Sequence, residues 1–362
     1  MDRKKTIVNA SRSIDKRGGV SGVAYALDKA FSEAGYNTAT FTVENSGFVC
    51  IKFRNIFLSK LWLFLEVVWA STIGSVVLAM RFPKSKYFVI SHNDFLYGQV
   101  YVNHGLHRAM IARLGRLKFF LRNPIHLFIF FRESIRHAFG FHSYIVCSSL
   151  SQKNEFSEFY SNHKSKIKII PNGIDFSRFK YEGKKSQNSP YEESLNKKYM
   201  VFVGYEFDRK GLKYAIQSLS FLPDLWEIIV VGGDSYQIRE SKKNTDSSLV
   251  DRVHYLGVRY DLDEIYRSAN CFVLPSKFEA MCLVSLEAAA CGLPVVMSSA
   301  GASREVILDG VNGYICVLDP RDIANKVELA LGLDREVVSA SVAHYGWDVI
   351  SERYIEECTD SK

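Results

Sequence analysis

Two acids eight residues apart, Glu279 and Glu287, bracket a stretch in which a charged ligand could be held. Between them Ala280, Met281, Cys282, Leu283 and Val284 lead into a helix that opens near Leu283. Their backbone N–H groups therefore gather at a helix N-terminus. Donors without intrahelical acceptors, together with the helix dipole, make such a place a site for phosphate. A phosphate with a carboxylate on each side suits a ligand with an anionic centre and hydroxyl-bearing ends. A nucleotide sugar has that form, with sugar hydroxyls at one carboxylate, ribose hydroxyls at the other and the diphosphate between. Taken alone, the two glutamates read more simply as a solvated loop acid and an ordinary helix residue.

Positioning these groups requires a strand, a loop and a helix. Cys271–Leu274 is an apolar run that reads as a buried parallel strand, the chain turns at Pro275 and Ser276, and Gly292 and Pro294 stop the helix. In an α/β sheet that arrangement holds ligands at the carboxyl ends of the strands. The same pattern occurs at Tyr199–Val203, where GYEFDRKG (Gly204–Gly211) leads into a helix over Leu212–Leu219 and puts Arg209 and Lys210 in a strand-to-helix loop. Trp226–Val231 and Val253–Gly257 read as further strands. At the N-terminus, Thr6–Asn9, a glycine-bearing loop over Ser11–Gly22, a helix over Val23–Ala34 and Asn37–Val43 give β-loop-α-β without a GxGxxG fingerprint. Tyr87–Ser91, Val100–Asn103, Ser143–Cys147 and Lys166–Ile170 complete that half. Asp261–Leu262–Asp263 has the form of a metal-clamping triplet, but it precedes a helix over Glu264–Ala269 and reads as an N-cap with first-turn acids.

The stretch PSKFEAMCLVSLEAAACGLPVV, followed by Gly301, Glu305 and DGVNG (Asp309–Gly313), resembles the signature of retaining glycosyltransferase family 4, also called glycosyl transferases group 1. The resemblance implies an α/β protein of GT-B fold: two Rossmann-like domains with parallel sheets facing a central cleft, and a C-terminal helix over Tyr345–Cys358 crossing back to the first. It implies an acceptor-binding domain over 1–180, with 341–362 packing back on it, and a nucleotide-sugar domain over 181–340, joined by a linker at Lys180–Lys198. Glu279 would contact the donor sugar and Glu287 the ribose. Gly18 and Gly19 match the family's GGV loop, which faces the donor diphosphate. Gly204, Arg209 and Lys210 would bind that diphosphate. His104, following a strand, would line the site near sugar and acceptor, with His92 and His107 as rivals. The catalytic set is then Glu279, His104, Arg209 and Lys210. Tyr205 stands where the family commonly has Arg, and the RKG of Arg209–Gly211 is similar to the lipopolysaccharide-core branch. Cys282 stands where Gly is common.

The implied reaction moves a sugar from a nucleotide-diphosphate sugar, such as a UDP-sugar, to a hydroxyl of a saccharide or lipid-linked acceptor, with retention, in bacterial cell-surface polysaccharide or lipopolysaccharide biosynthesis. Cations and amides would meet the charge on the departing diphosphate, so neither a metal nor a further cofactor is expected. The alternative is a non-catalytic, membrane-associated nucleotide-sugar-binding subunit of a glycan assembly complex.

The composition is globular, at 47% hydrophobic and 23% charged over 362 residues, enough for two domains. The net charge of +7 favours an anionic partner. Seven cysteines without a CxxC or a Cys/His metal spacing fit a reducing compartment. MDRKKTIVNASRS has no apolar segment of the signal-peptide kind. Leu61–Met80 has the length of a membrane span, but Glu66, Ser71, Thr72, Gly74 and Ser75 interrupt it. It reads as a helix buried in the first domain or lying on a membrane surface. Gly105–His142 carries Arg108, Arg113, Arg116, Lys118, Arg122, Arg132 and Arg136 against the single acid Glu133, with Phe and Leu interleaved. That suits an anionic membrane surface or a lipid-linked acceptor, although a helix pair with a solvated basic face would look the same. Without an RNA-module signature, no nucleic-acid partner is expected. The expected location is the cytoplasm, peripheral on the inner face of the membrane.

Overall fold

Short apolar runs become the central strands of two parallel sheets because both faces of each sheet are covered by helices. The computed structural model describes residues 5–16, 19–51, 53–114, 125–161, 164–183 and 197–359. It divides into two compact units, one made of residues 1–173 with 347–362 and the other of residues 174–346.

The first unit begins with β1 (Ile7–Ala10), α1 (Gly19–Glu33) and β2 (Thr38–Phe41). Next come α2 (Ile56–Trp69) and α3 (Ser75–Arg81), joined by a π turn over Ala70–Gly74, and then β3 (Phe88–His92) and β4 (Val100–Asn103). It continues through α4 (His107–Leu114), α5 (Ile125–Phe139), β5 (Tyr144–Cys147), α6 (Leu150–Phe159) and β6 (Lys166–Ile169). The sheet order is β2-β1-β3-β4-β5-β6, all parallel, so the strand order reverses between β1 and β3.

The second unit runs β7 (Lys198–Val203), α7 (Leu212–Ser218), β8 (Trp226–Val231), α8 (Ser235–Lys243), β9 (Val253–Gly257) and α9 (Leu262–Ser268). It goes on through β10 (Cys271–Leu274), α10 (Leu283–Ala290), β11 (Val295–Ser298), α11 (Ser303–Val306), β12 (Gly313–Cys316), α12 (Pro320–Ala330) and α13 (Arg335–Ser341). Its sheet, β12-β11-β10-β7-β8-β9, is parallel throughout. Counted along the unit, that is the 3-2-1-4-5-6 order of dinucleotide-binding sheets, with its switch point between β7 and β10. The last helix, α14 (Trp347–Cys358), belongs to the first unit. Its Ile350, Tyr354 and Cys358 share a core with Ile7, Leu27 and Phe31.

Three expectations change. The N-terminal glycine loop is shorter than read: α1 starts at Gly19 instead of Val23, so Val20–Gly22 form its first turn. The apolar run read as Leu61–Met80 extends from Ile56 to Arg81, because Asn55 accepts from the amides of Phe57 and Leu58 and sets the helix start one turn earlier. The acidic triplet sits where it was expected, with Asp261 at the N-cap position and Asp263 and Glu264 in the first turn of α9, but the Asp261 side chain makes no cap bond. The Asp261 carboxylate is taken by Arg259, and Asp263 pairs with Arg178 at 3.4 Å and with Arg267 at 2.6 Å. Gly18, the cations Arg116, Lys118 and Arg122, and most of the Lys180–Lys198 linker lie outside the described residues.

Candidate active site

Two loops meet at the switch point of the second sheet. One follows β7 and carries Arg209 and Lys210; the other follows β10 and carries Glu279. Backbone and side chain stitch them together: Lys277 N–H donates to the Arg209 carbonyl at 2.8 Å, and Arg209 Nη1 donates to the Phe278 carbonyl at 2.6 Å. Gly211 makes the approach possible. Its φ of +75° is open to glycine, and a Cβ there would lie 1.9 Å from the Pro275 carbonyl oxygen. Gly204 leaves room in a different way, since a Cβ on it would lie 2.3 Å from Lys210 Cδ. Without that Cβ, the lysine side chain folds back across the end of β7.

Glu279, 8% exposed, is the centre of this arrangement. Its Oε1 accepts from Ser276 Oγ at 2.8 Å, Lys210 Nζ at 3.0 Å and Arg209 Nη1 at 3.3 Å. All three bonds fall on one oxygen, which leaves Oε2 without any of them. Arg209 is held from its other side by Glu206 Oε2 at 2.5 Å. The loop beyond Glu279 is closed from below by Gly301 (φ +58°), where a Cβ would lie 2.0 Å from the Glu279 carbonyl oxygen, and by Ala302 N–H donating to the Ala280 carbonyl at 3.2 Å.

α10 opens at Leu283 with Cys282 as its N-cap residue. Leu283 and Val284 therefore have no intrahelical acceptor for their N–H groups. Burial, with Glu279 adjoining, pushes the Cys282 thiol up to about 11, so it is a small neutral group at neutral pH. Glu287 lies one turn further along. Burial pushes its carboxyl up to about 7, and Arg178 only partly opposes this. Among the described residues no group hydrogen-bonds or ion-pairs with it.

The first unit holds the remaining candidates. Gly19 (φ +61°) begins α1 beyond the carboxyl end of β1. His104 follows β4, and its Nε2 lies 2.9 Å from Nδ1 of His92 at the end of β3. Burial lowers His104 to about 4, and burial with His104 nearby takes His92 well below its ordinary value, so both rings are neutral at physiological pH. Among the described residues His92 Nε2 is buried without a partner. An orphaned acceptor is tolerated better than an orphaned N–H, which makes His92 Nδ1–H the donor and leaves the His104 proton on Nδ1. His107 is occupied elsewhere: its amide donates to Glu133 Oε2 at 2.8 Å and its ring stacks on His126.

Thus Gly204, Arg209, Lys210 and Glu279 come together in the second unit, with the Ala280–Val284 segment following Glu279 and Glu287 one turn into α10. Sequence reasoning passed over Ser276, although it sits in the quoted Pro-Ser turn, and Glu206, which had no distinguishing signal. Residues 197–332 match the family model described as Glycosyl transferases group 1. The stretch that is similar to group 1 glycosyltransferases thus lies within the second unit. An uncharacterised glycosyltransferase of Methanocaldococcus jannaschii is 28% identical over 240 residues, 58% of this chain and 58% of the relative. The UDP-Gal:alpha-D-GlcNAc-diphosphoundecaprenol alpha-1,3-galactosyltransferase of Escherichia coli is 31% identical over 168 residues, 43% of each chain. The chain thus spans about half the length of the curated relatives it matches. WaaG, a glycosyltransferase involved in lipopolysaccharide biosynthesis, superposes with a TM-score of 0.66 at 17% identity over 97% of this chain and 95% of its own. That likeness establishes the fold, which is GT-B.

Proposed function

We propose that this protein is a retaining glycosyltransferase that moves a sugar from a nucleotide-diphosphate sugar to a hydroxyl of a saccharide or lipid-linked acceptor. The observation that carries the reading is the convergence, at one switch point, of two cations, a helix N-terminus and two carboxylates with different environments. Lys210, Arg209 and the Leu283 and Val284 amides are aimed at the charge that develops on the departing diphosphate, which is electrostatic catalysis. These protein cations fill the role that a divalent metal has in other transferases. Glu279, anchored through Oε1, offers Oε2 to the sugar hydroxyls. Glu287, with no hydrogen-bond or ion-pair partner among the described residues, takes the ribose hydroxyls.

In the retaining step the bond between the anomeric carbon and the phosphate oxygen breaks, and the acceptor oxygen bonds to the same face. The acceptor proton passes to the departing phosphate oxygen. No protein base is then required, and a neutral His104 whose pKa is near 4 positions the acceptor instead of deprotonating it. The E. coli relative, named for UDP-Gal and a diphosphoundecaprenol acceptor, supports a UDP-sugar donor and a lipid-linked acceptor in bacterial cell-surface glycan synthesis. That setting would place the enzyme on the cytoplasmic side of the membrane.

Calorimetric titration with UDP-, GDP- and ADP-sugars, followed by a transfer assay, tests the reading. One nucleotide class should bind, and Lys210→Ala should weaken it by roughly 10- to 100-fold through loss of a charge-assisted bond. Unaltered affinity in that variant would refute the site. Binding without transfer or donor hydrolysis would support the non-catalytic subunit instead.

A further inference from the structure

Positive charge in this chain is concentrated in one stretch. Residues 45–142 hold thirteen Lys and Arg against three acids, a local net of +10 that exceeds the +7 of the whole chain. The three acids are all engaged within the first unit. Glu66 faces Arg12 at 3.7 Å, Asp94 pairs with Arg132 at 2.6 Å, and Glu133 accepts from the Tyr160 hydroxyl at 2.7 Å. Exposed cations flank the α2–α3 helix, with Arg54 and Lys60 toward its start and Arg81 and Lys86 at its end.

The same stretch exposes apolar side chains along two adjacent helices. On α2–α3, Phe57 (79% exposed), Leu61, Val76 and Met80 (78%) face outward at helical spacing. On α5, Phe131 (55%) and Phe139 do so. The helices lie side by side, for Phe64 and Phe128 meet edge to face at 6.0 Å and Arg132 Nη1 reaches Ser71 Oγ at 3.3 Å. Exposed apolar area on this scale, bordered by cations, is unusual for a free surface.

Phe57–Arg81 is long and apolar enough to cross a bilayer. Its inner face, however, is tied to the unit by polar bonds. Trp69 Nε1 donates to Ser46 Oγ at 2.9 Å, Ser71 Oγ to the Asp94 carbonyl at 2.9 Å, and Leu96 N–H to Ser75 Oγ at 2.8 Å. Crossing would break these bonds and strand the groups in hydrocarbon, whereas lying flat keeps them. We infer that the first unit docks through α2–α3 and α5 onto an anionic membrane surface, with the Phe57–Arg81 helix in the plane of the headgroups. This inference deepens the lipid-linked-acceptor reading but uses no residue of the nucleotide site, so either can fail alone.

The test is sedimentation of the full chain with vesicles of phosphatidylcholine alone and of phosphatidylcholine mixed with phosphatidylglycerol, at low and high salt. Binding should require the anionic lipid and fall with salt. The exposed triple variant Phe57→Ser/Val76→Ser/Phe131→Ser should partition at least about tenfold less, with an unchanged circular dichroism spectrum and unchanged nucleotide affinity. Equal partitioning of parent and triple variant would overturn the inference, as would indifference to anionic lipid. Resistance of the bound chain to alkaline extraction would overturn the in-plane placement. A concentration-dependent dimer that the triple variant dissolves, with no vesicle binding, would show that a second copy covers this face.

Discussion

Replacing Glu287 by Gln separates what this carboxylate does for the ligand from what it does to the fold. Its folded pKa is about 7 against 4.5 for an unperturbed glutamate. Between these values the folded state holds a proton that the unfolded chain has released. Stability therefore falls as pH rises from about 4.5 to about 7, by at most about 3 kcal/mol at 1.36 kcal/mol per unit. Gln keeps the shape and cannot ionise, so that loss disappears. Parent and variant should unfold alike near pH 4.5, and above pH 7 the variant should be more stable by up to about 3 kcal/mol, or roughly 6–12 °C in Tm. Donor binding should move the other way. If ribose hydroxyls donate to the carboxylate, parent affinity should strengthen as pH rises through about 7, while the variant should be weaker and flat over that range. The assays are thermal unfolding and calorimetric titration across a pH series. Parallel stability curves for the two proteins would refute the claim that Glu287 is held unpaired, and equal nucleotide affinity would remove it from the site.

Ser276→Ala deletes the shortest bond to Glu279 Oε1, 2.8 Å, and should lower kcat about fivefold for roughly 1 kcal/mol of lost positioning with little change in donor KM; lost stability with unchanged kcat would make the serine merely structural. Gly211→Ala meets both a positive φ and the Pro275 carbonyl oxygen, whereas Gly35 (φ +81°) faces open space. Thermal unfolding should therefore show Gly35→Ala costing about 1 kcal/mol and Gly211→Ala at least about 2 kcal/mol; equal costs would mean that loop contact is unimportant. His104→Asn should reduce kcat without changing the shape of the pH–rate profile between about 5.5 and 9, and loss of a limb near neutrality would restore a proton-transfer role.

Much of this architecture could be read from local pattern. Val100–Asn103, Trp226–Val231 and Cys271–Leu274 are strands at the bounds read from the sequence, because an apolar run covered on both faces leaves little choice of register. Local pattern failed where a distant residue decides. Glu279 and Lys210 are 69 positions apart, and only the β7–β10 pairing, Cys271 beside Met200, brings their loops together. Asp263 is the first-turn acid its position suggests, but that Arg178 and Arg267 pair with it is not visible locally. His92 and His104 were separate candidates for one role, yet the β3–β4 register sets His92 beside Val102 and so makes the two rings a pair. The start of α1 was misplaced because glycine reads as loop, although Gly22 is compatible with a first helical turn.

The two glutamates first distinguished by spacing end in opposite electrostatic conditions, and this gives a paired test. Glu279 neutralises Lys210 and Arg209 and accepts from Ser276; Glu287 has no ion pair or hydrogen bond among the described residues and feels only Arg178 from a distance. Removing the charge from Glu279 leaves Lys210 without its counter-ion, while Arg209 keeps Glu206. Glu279→Gln should therefore cost about 2 kcal/mol of stability, less than a fully buried pair because Arg209 is a third exposed. Glu287→Gln should stabilise above pH 7, yet both variants should lose transfer activity. Opposite effects on stability with the same effect on activity are what a donor site with one anchored and one waiting carboxylate requires. If both substitutions shift the unfolding midpoint in the same direction at pH 8, the site is an ordinary buried ion cluster and the assignment of sugar and ribose to its two acids fails.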